Sequence, residues 1–256
     1  EFAIRFPSAF LGIVTICLLC LILTELEKKD SSIISKYKYK FTLLATFVFS
    51  LSPWYMHFVG TAFEATVALF FFMSASYLYI LFKRLHRISF LALSLIFYVI
   101  TFYTYNSYKI ITPITLFLVA CDLFKNKYIC KNKFVYYVFV FIIPLFATAH
   151  SLFMNQSNVR FLQTAAFSNL STGSIILFFK NYLSYFSLDF LFNTGDGINR
   201  HQFIDFGILS RWTLPFLIIG LYSLINSKRS HLKYLVFGFL FISPIPAAIS
   251  LPSPHT

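Results

Sequence analysis

Glu64 is one of only nine acidic residues in this chain of 256. It lies in the stretch Leu51–Lys83, LSPWYMHFVGTAFEATVALFFFMSASYLYILFK, where a short corner gives way to a long apolar run. A carboxylate at a lipid boundary is costly unless it meets water or a partner, which makes it a candidate site residue. His57 stands in the same corner. A carboxylate and an imidazole there could take a proton from a substrate hydroxyl, orient it, or hold a phosphate. Glu64 could also be no more than a first-turn charge that complements a helix dipole.

A second cluster is Arg200-His201 with Asp196 and Asp189. The guanidinium fork suits phosphate. The plainer alternative is an exposed loop with ordinary charges. Tyr105, Lys109 and Arg160 form a third set, able to reach an anionic head group or to act as snorkelling anchors. His255 stands near the end of the chain. The sequence contains no phosphate-cradling glycine loop, no G-x-S-x-G elbow and no His/Cys metal spacing. It therefore indicates no cofactor and no metal site. Cys17-Leu-Leu-Cys20 has C-x-x-C spacing but lies inside an apolar run, where cysteines pack as small hydrophobes.

The elements that must position these residues are membrane helices. The chain is 58% hydrophobic and 12% charged, with a mean hydropathy of +0.75. Apolar runs of about 20 residues repeat along it, as in an all-α, polytopic transmembrane bundle. The runs predict spans at 6–24, 41–58, 63–82, 88–104, 110–124, 134–153, 206–225 and 234–251, about eight in all. Pro7 suits a first helical turn. The connection 154–205 is too polar to span. Within it, 175–192 reads as an interfacial helix with aromatics toward lipid and polar groups toward water. The chain 1–256 reads as one membrane domain carrying that loop.

The net charge of +12 does not point to nucleic acid, because the basic residues fall in short clusters between apolar runs. Most of the 21 Lys and Arg residues follow the first, third, fifth and seventh spans. Such clusters mark the cytoplasmic side. The opposite side holds Arg5, Lys109, Arg160, Lys180, Arg200 and Arg211, together with the Pro53–Glu64 corner, the 105–109 corner and the 154–205 loop. The expectation is a multi-pass protein of the plasma membrane whose chemistry occurs at its extracytoplasmic rim. No internal or inverted repeat is visible, which disfavours a secondary transporter.

Several stretches then resemble one superfamily. Arg5-Phe6-Pro7-Ser8-Ala9-Phe10-Leu11-Gly12 is similar to the R-x-P-S-A-x-x-G segment of membrane glycosyltransferases related to protein O-mannosyltransferases and the lipid A aminoarabinose transferase. Leu51-Ser52-Pro53-Trp54 with Phe63-Glu64-Ala65 resembles their SPW…FE corner, with Gly60-Thr61 where that corner carries a basic residue. Tyr103-Thr104-Tyr105-Asn106 resembles a Y-x-Y corner. The stretch from Asn181-Tyr182-Leu183-Ser184 to Leu191-Phe192, then Gly195-Asp196 and Arg200-His201, resembles NYLSHFSPDFLF…GD…RH. Pro254-His255 resembles the start of a PHALR segment.

The resemblance implies an inverting transfer from a polyprenyl- or dolichyl-phosphate sugar to an unspecified acceptor. It implies a principal catalytic Asp upstream of Glu1, so that the chain, opening at Glu1-Phe2 without an initiator Met, reads as a fragment inactive by itself. Glu64, with His57, would assist at the acceptor hydroxyl. Arg200 and His201 would meet the donor phosphate, with Asp196, Tyr105, Lys109, Arg160 and His255 as further binding residues. Two alternatives stay open: a lipid-linked oligosaccharide polymerase or ligase, and a non-catalytic polysaccharide transporter or flippase.

Overall fold

A computed structural model describes residues 2–28, 38–61, 63–126, 172–196, 206–226 and 230–249, and all regular structure among them is helical. The expected span 134–153 lies outside these residues, as do Arg160, Arg200, His201 and His255. The chain divides into two compact units, Glu1–Ser50 with Val59–Asn158 and Leu51–Phe58 with Val159–Thr256.

The first unit contains α1 (Phe2–Lys28), α2 (Lys38–Ser50), α4 (Glu64–Leu85), α5 (Ile88–Thr104) and α6 (Tyr108–Lys125). α3 (Pro53–Gly60) lies largely in the second unit. α4 starts with Glu64 in its first turn and ends with Lys83 and Arg84 in its last, charges that complement the helix dipole at both ends. His86 then turns left-handed at φ 54°, and its N–H donates to the Phe82 carbonyl at 2.8 Å, closing the helix.

α5 folds back along α4. Ala68 and Ala75 are fully buried, letting the backbones approach. Ser94 Oγ donates to the Ala75 carbonyl at 2.7 Å, and the Ser76 and Tyr98 hydroxyls meet at 3.1 Å. Small residues and short polar bridges of this kind join helices in lipid, where apolar contact alone gives no drive. Phe72 stands against both Tyr98 and Tyr108, so α6 joins the same core.

The eight expected spans are not all met. Two described helices are long and apolar enough to cross a membrane, within Phe2–Leu26 and Glu64–Leu85, and a bent pair, Thr42–Ser50 with Pro53–Gly60, would make three. Among the described residues the shortfalls have local causes. The run 41–58 is broken at Leu51-Ser52, because Pro53 opens a new helix and cannot continue the old one. His57 and Gly60 consequently sit on α3 and not in a turn. α5 has 17 residues, and α6 has 18 but carries Lys109, Asp122 and Lys125. Pro7 lies inside α1, which starts at Phe2 and not at the expected position.

In the second unit the expected interfacial helix 175–192 is two helices, α7 (Thr172–Ser184) and α8 (Leu188–Phe192). Ser187 caps the second, its hydroxyl accepting from the Phe190 N–H at 3.2 Å. The expected span 206–225 begins irregularly. A single 3-10 turn at Arg211–Thr213 leads into α9 (Leu214–Asn226). The last expected span is α10 (Ser230–Ile242) followed by α11 (Ile245–Ile249), broken at Ser243-Pro244.

Candidate functional site

In the first unit, Glu64 opens α4 and is exposed. Tyr105 ends α5 in extended conformation, and Ser107 and Tyr108 turn the chain into α6. Tyr105 and Tyr108 lie ring to ring, 6.5 Å between centroids. Burial raises the Tyr105 hydroxyl above its ordinary range, a hydrogen bond with Ser107 opposes this, and the nearby Glu64 carboxylate raises it further. Glu64 and Tyr105, 41 positions apart in the numbering, are thus close enough for charge to register between them. Lys109, in the first turn of α6, is half-buried beside this corner, its N–H bonded to the Asn106 carbonyl at 3.0 Å. An accessible carboxylate near a phenol can accept a proton from a hydroxyl and orient it.

Two of the segments that carry the resemblance approach each other within this unit. A Cβ on Gly12 would lie 2.6 Å from Cγ2 of Val59, so any side chain at that position would force the Val59 side chain to shift. Gly12 closes the R-x-P-S-A-x-x-G segment and Val59 belongs to the SPW…FE corner.

The opposite end of this unit is cationic. Arg84 Nη1 reaches both oxygens of Glu25 at 2.7 Å, tying α4 to α1. Asp122 accepts from Tyr79 at 2.5 Å, from Lys83 at 3.0 Å and from Asn126 at 3.0 Å, tying α4 to α6. The sequence reading missed this clamp. Its signal was Asp122 itself, an acid near the end of an apolar run and facing the basic end of another.

In the second unit, α8 is held at both ends. Thr194 Oγ1 donates to Asp189 at 2.8 Å, and Gly195 turns at φ 59°. The returning chain then crosses the end of α8: Leu209 N–H donates to the Leu191 carbonyl at 2.8 Å, and Arg211 Nε to the Phe192 carbonyl at 3.3 Å. A Cβ on Gly207 would come within 2.5 Å of the Phe192 carbonyl carbon. The Trp54 N–H reaches the Ile208 carbonyl at 3.3 Å, which fixes the start of α3, and His57, half-buried, follows one turn later. Asp196 is half-buried just beyond Gly195. His57 therefore belongs to this unit and Glu64 to the other. Arg211 is the residue that sequence reasoning passed over; an Arg-Trp pair just ahead of the apolar run 214–225 was its signal.

Among the described residues no group of three or more His, Cys, Asp or Glu side chains could hold a metal ion. No family model, no curated protein and no solved structure matches this chain.

Proposed function

We propose that this chain is part of an integral-membrane glycosyltransferase that takes a sugar from a polyprenyl- or dolichyl-phosphate donor at the extracytoplasmic face. The observation that carries the reading is Glu64: an exposed carboxylate at the mouth of a membrane-length helix, grouped with Tyr105, at the end opposite the paired cations. The contact of Gly12 with Val59 adds support, because it gives a steric reason for a motif glycine. The further helices α5, α6, α9 and α10 cross the same bilayer in this reading, each short of or interrupted within a full span, making the protein multi-pass.

The layout suits the chemistry. A lipid-borne donor keeps its tail in the bilayer while its sugar phosphate stays at the surface. The acceptor oxygen forms a new bond to the anomeric carbon as the bond from that carbon to the phosphate oxygen breaks. The phosphate leaves with the electron pair, the acceptor proton passes to a carboxylate on the opposite face, and the configuration inverts. In this proposal an Asp upstream of Glu1 is the principal base, and Glu64, with Tyr105 and Lys109, orients the acceptor. Arg200 and His201 offset the charge on the leaving phosphate. His57, Asp196, Arg160 and His255 remain secondary candidates.

The test is sugar transfer by the full-length natural protein in vesicles supplied with a polyprenyl-phosphate sugar. Glu64→Gln keeps the shape and removes the charge. It should lower turnover by roughly tenfold or more while membrane insertion is retained. Wild-type turnover in this variant would remove Glu64 from the site.

A further inference from the structure

α7 has three different faces, and their order along the helix is not that of a helix in water. One face is turned into the second unit. There Tyr185 is buried with Phe190 of α8 and Ala248 of α11, and Phe178, Tyr182 and Ile208 pack around them. Asn181 is 7% exposed on this face and donates to the Ala248 carbonyl at 3.3 Å, while Tyr182 donates its hydroxyl to the Phe241 carbonyl at 2.9 Å. Of the aromatic and amide groups expected to divide between lipid and water, Phe178, Asn181, Tyr182 and Tyr185 instead face inward.

The second face carries Ile175, Ile176, Phe179 and Leu183, which are 50–66% exposed. At about 100° per residue these four fill a stripe about 100° wide. The third face begins with Lys180, exposed, about 40° beyond the stripe, and continues through Ser184. A stripe of four large apolar side chains flanked on one side by a packed interface and on the other by an ammonium is the layout of a helix lying in a bilayer surface.

The rest of the module agrees on lipid as the occupant. Arg211 and Trp212 directly follow the segment that packs on α7 and α8, and Arg211 is bonded to the Phe192 carbonyl. Trp212 is 47% exposed. Trp and Arg together mark the head-group level, where the ring is half immersed and the guanidinium meets phosphate. α9 begins immediately after them, and none of its residues is buried. Asp189, the acid nearest this face in sequence, is occupied by Thr194 and Asn193. α1 and α4 have the length and hydropathy to place the chain in a membrane.

We propose that α7 lies flat in the head-group and upper acyl layer of the membrane, with Ile175, Ile176, Phe179 and Leu183 in lipid and Lys180 at the phosphates of anionic head groups. This concerns the surface on which the second unit rests and stands independently of sugar transfer.

The test uses nitroxide labels placed singly at residues 176, 179, 180 and 183 of the whole protein in vesicles containing phosphatidylglycerol. Collision rates with oxygen report lipid, and those with a water-soluble nickel chelate report water. Positions 176, 179 and 183 should favour oxygen at one common shallow depth, and position 180 should favour nickel. Nickel access at 179 and 183 would put the stripe in water and overturn the proposal. Low access to both reagents would mean a protein partner, and depth increasing steadily from 176 to 183 would mean a span; either overturns it too. Where a label disturbs folding, Phe179→Trp in a background of Trp54→Phe and Trp212→Phe gives the same answer through quenching. Lipids brominated near the glycerol should quench it more than lipids brominated near the chain end, and the reverse order would contradict the proposal.

Discussion

Single residues decide where the backbone is allowed to go. Gly207 is the clearest case, because the atoms a side chain would meet there are the backbone of Leu191 and Phe192, which cannot rotate away. Gly207→Ala should cost about 1–3 kcal/mol or more, seen as a fall of the melting midpoint in detergent by several degrees (about 3–10 °C). An unchanged midpoint would mean that the chain does not cross α8 in this way. Gly12 acts through a softer neighbour, the Val59 side chain. Glu64 was legible from the sequence because an acid at the edge of an apolar run stands out. Its association with Tyr105 was not, since it depends on α5 returning beside α4. The roles of Gly207 and Arg211 were also hidden, because each acts on a backbone that is near only after folding.

The helices themselves were largely legible, and their interruptions less so. Apolar runs fixed the positions of α1, α4, α5 and α6 to within a few residues, since each has one long stretch and no internal break. The runs 41–58 and 234–251 look continuous by hydropathy, yet Pro53 and Pro244 end hydrogen-bond ladders that hydropathy does not register. In α7 the misjudged feature was the direction of Asn181, which is satisfied by the Ala248 carbonyl and so can be buried. The clamp at Asp122 joins elements that hydropathy treats as separate. Asp122→Ala leaves Lys83 and Tyr79 without their shared acceptor. Because the pair is about one-third exposed, the loss should be only about 1–2 kcal/mol. Thermal unfolding of Asp122→Ala, Lys83→Ala and the double variant measures it. The double variant should be little worse than Asp122→Ala alone, and full additivity would show that the two side chains do not act together.

At the scale of the molecule, the first unit has two chemically distinct ends. Glu64, Tyr105 and Lys109 lie at one, and Lys83, Arg84, Arg87 and Lys125, with Glu25 and Asp122 as counter-ions, lie at the other. The basic clusters between apolar runs are the sequence signal of the cationic end, and α4 carries that division from Glu64 in its first turn to Lys83 and Arg84 in its last. A lipid-phosphate donor used at the extracytoplasmic surface requires the Glu64 end to be outside. The most direct measurement is sidedness, with the native cysteines replaced and single cysteines introduced by Asn106→Cys, beside Tyr105, and Arg87→Cys, at the far end. A membrane-impermeant maleimide applied to intact cells should label position 106 at once and position 87 only after the membrane is opened. Labelling of position 87 from outside, with position 106 protected, would place the carboxylate corner in the cytoplasm and contradict the account.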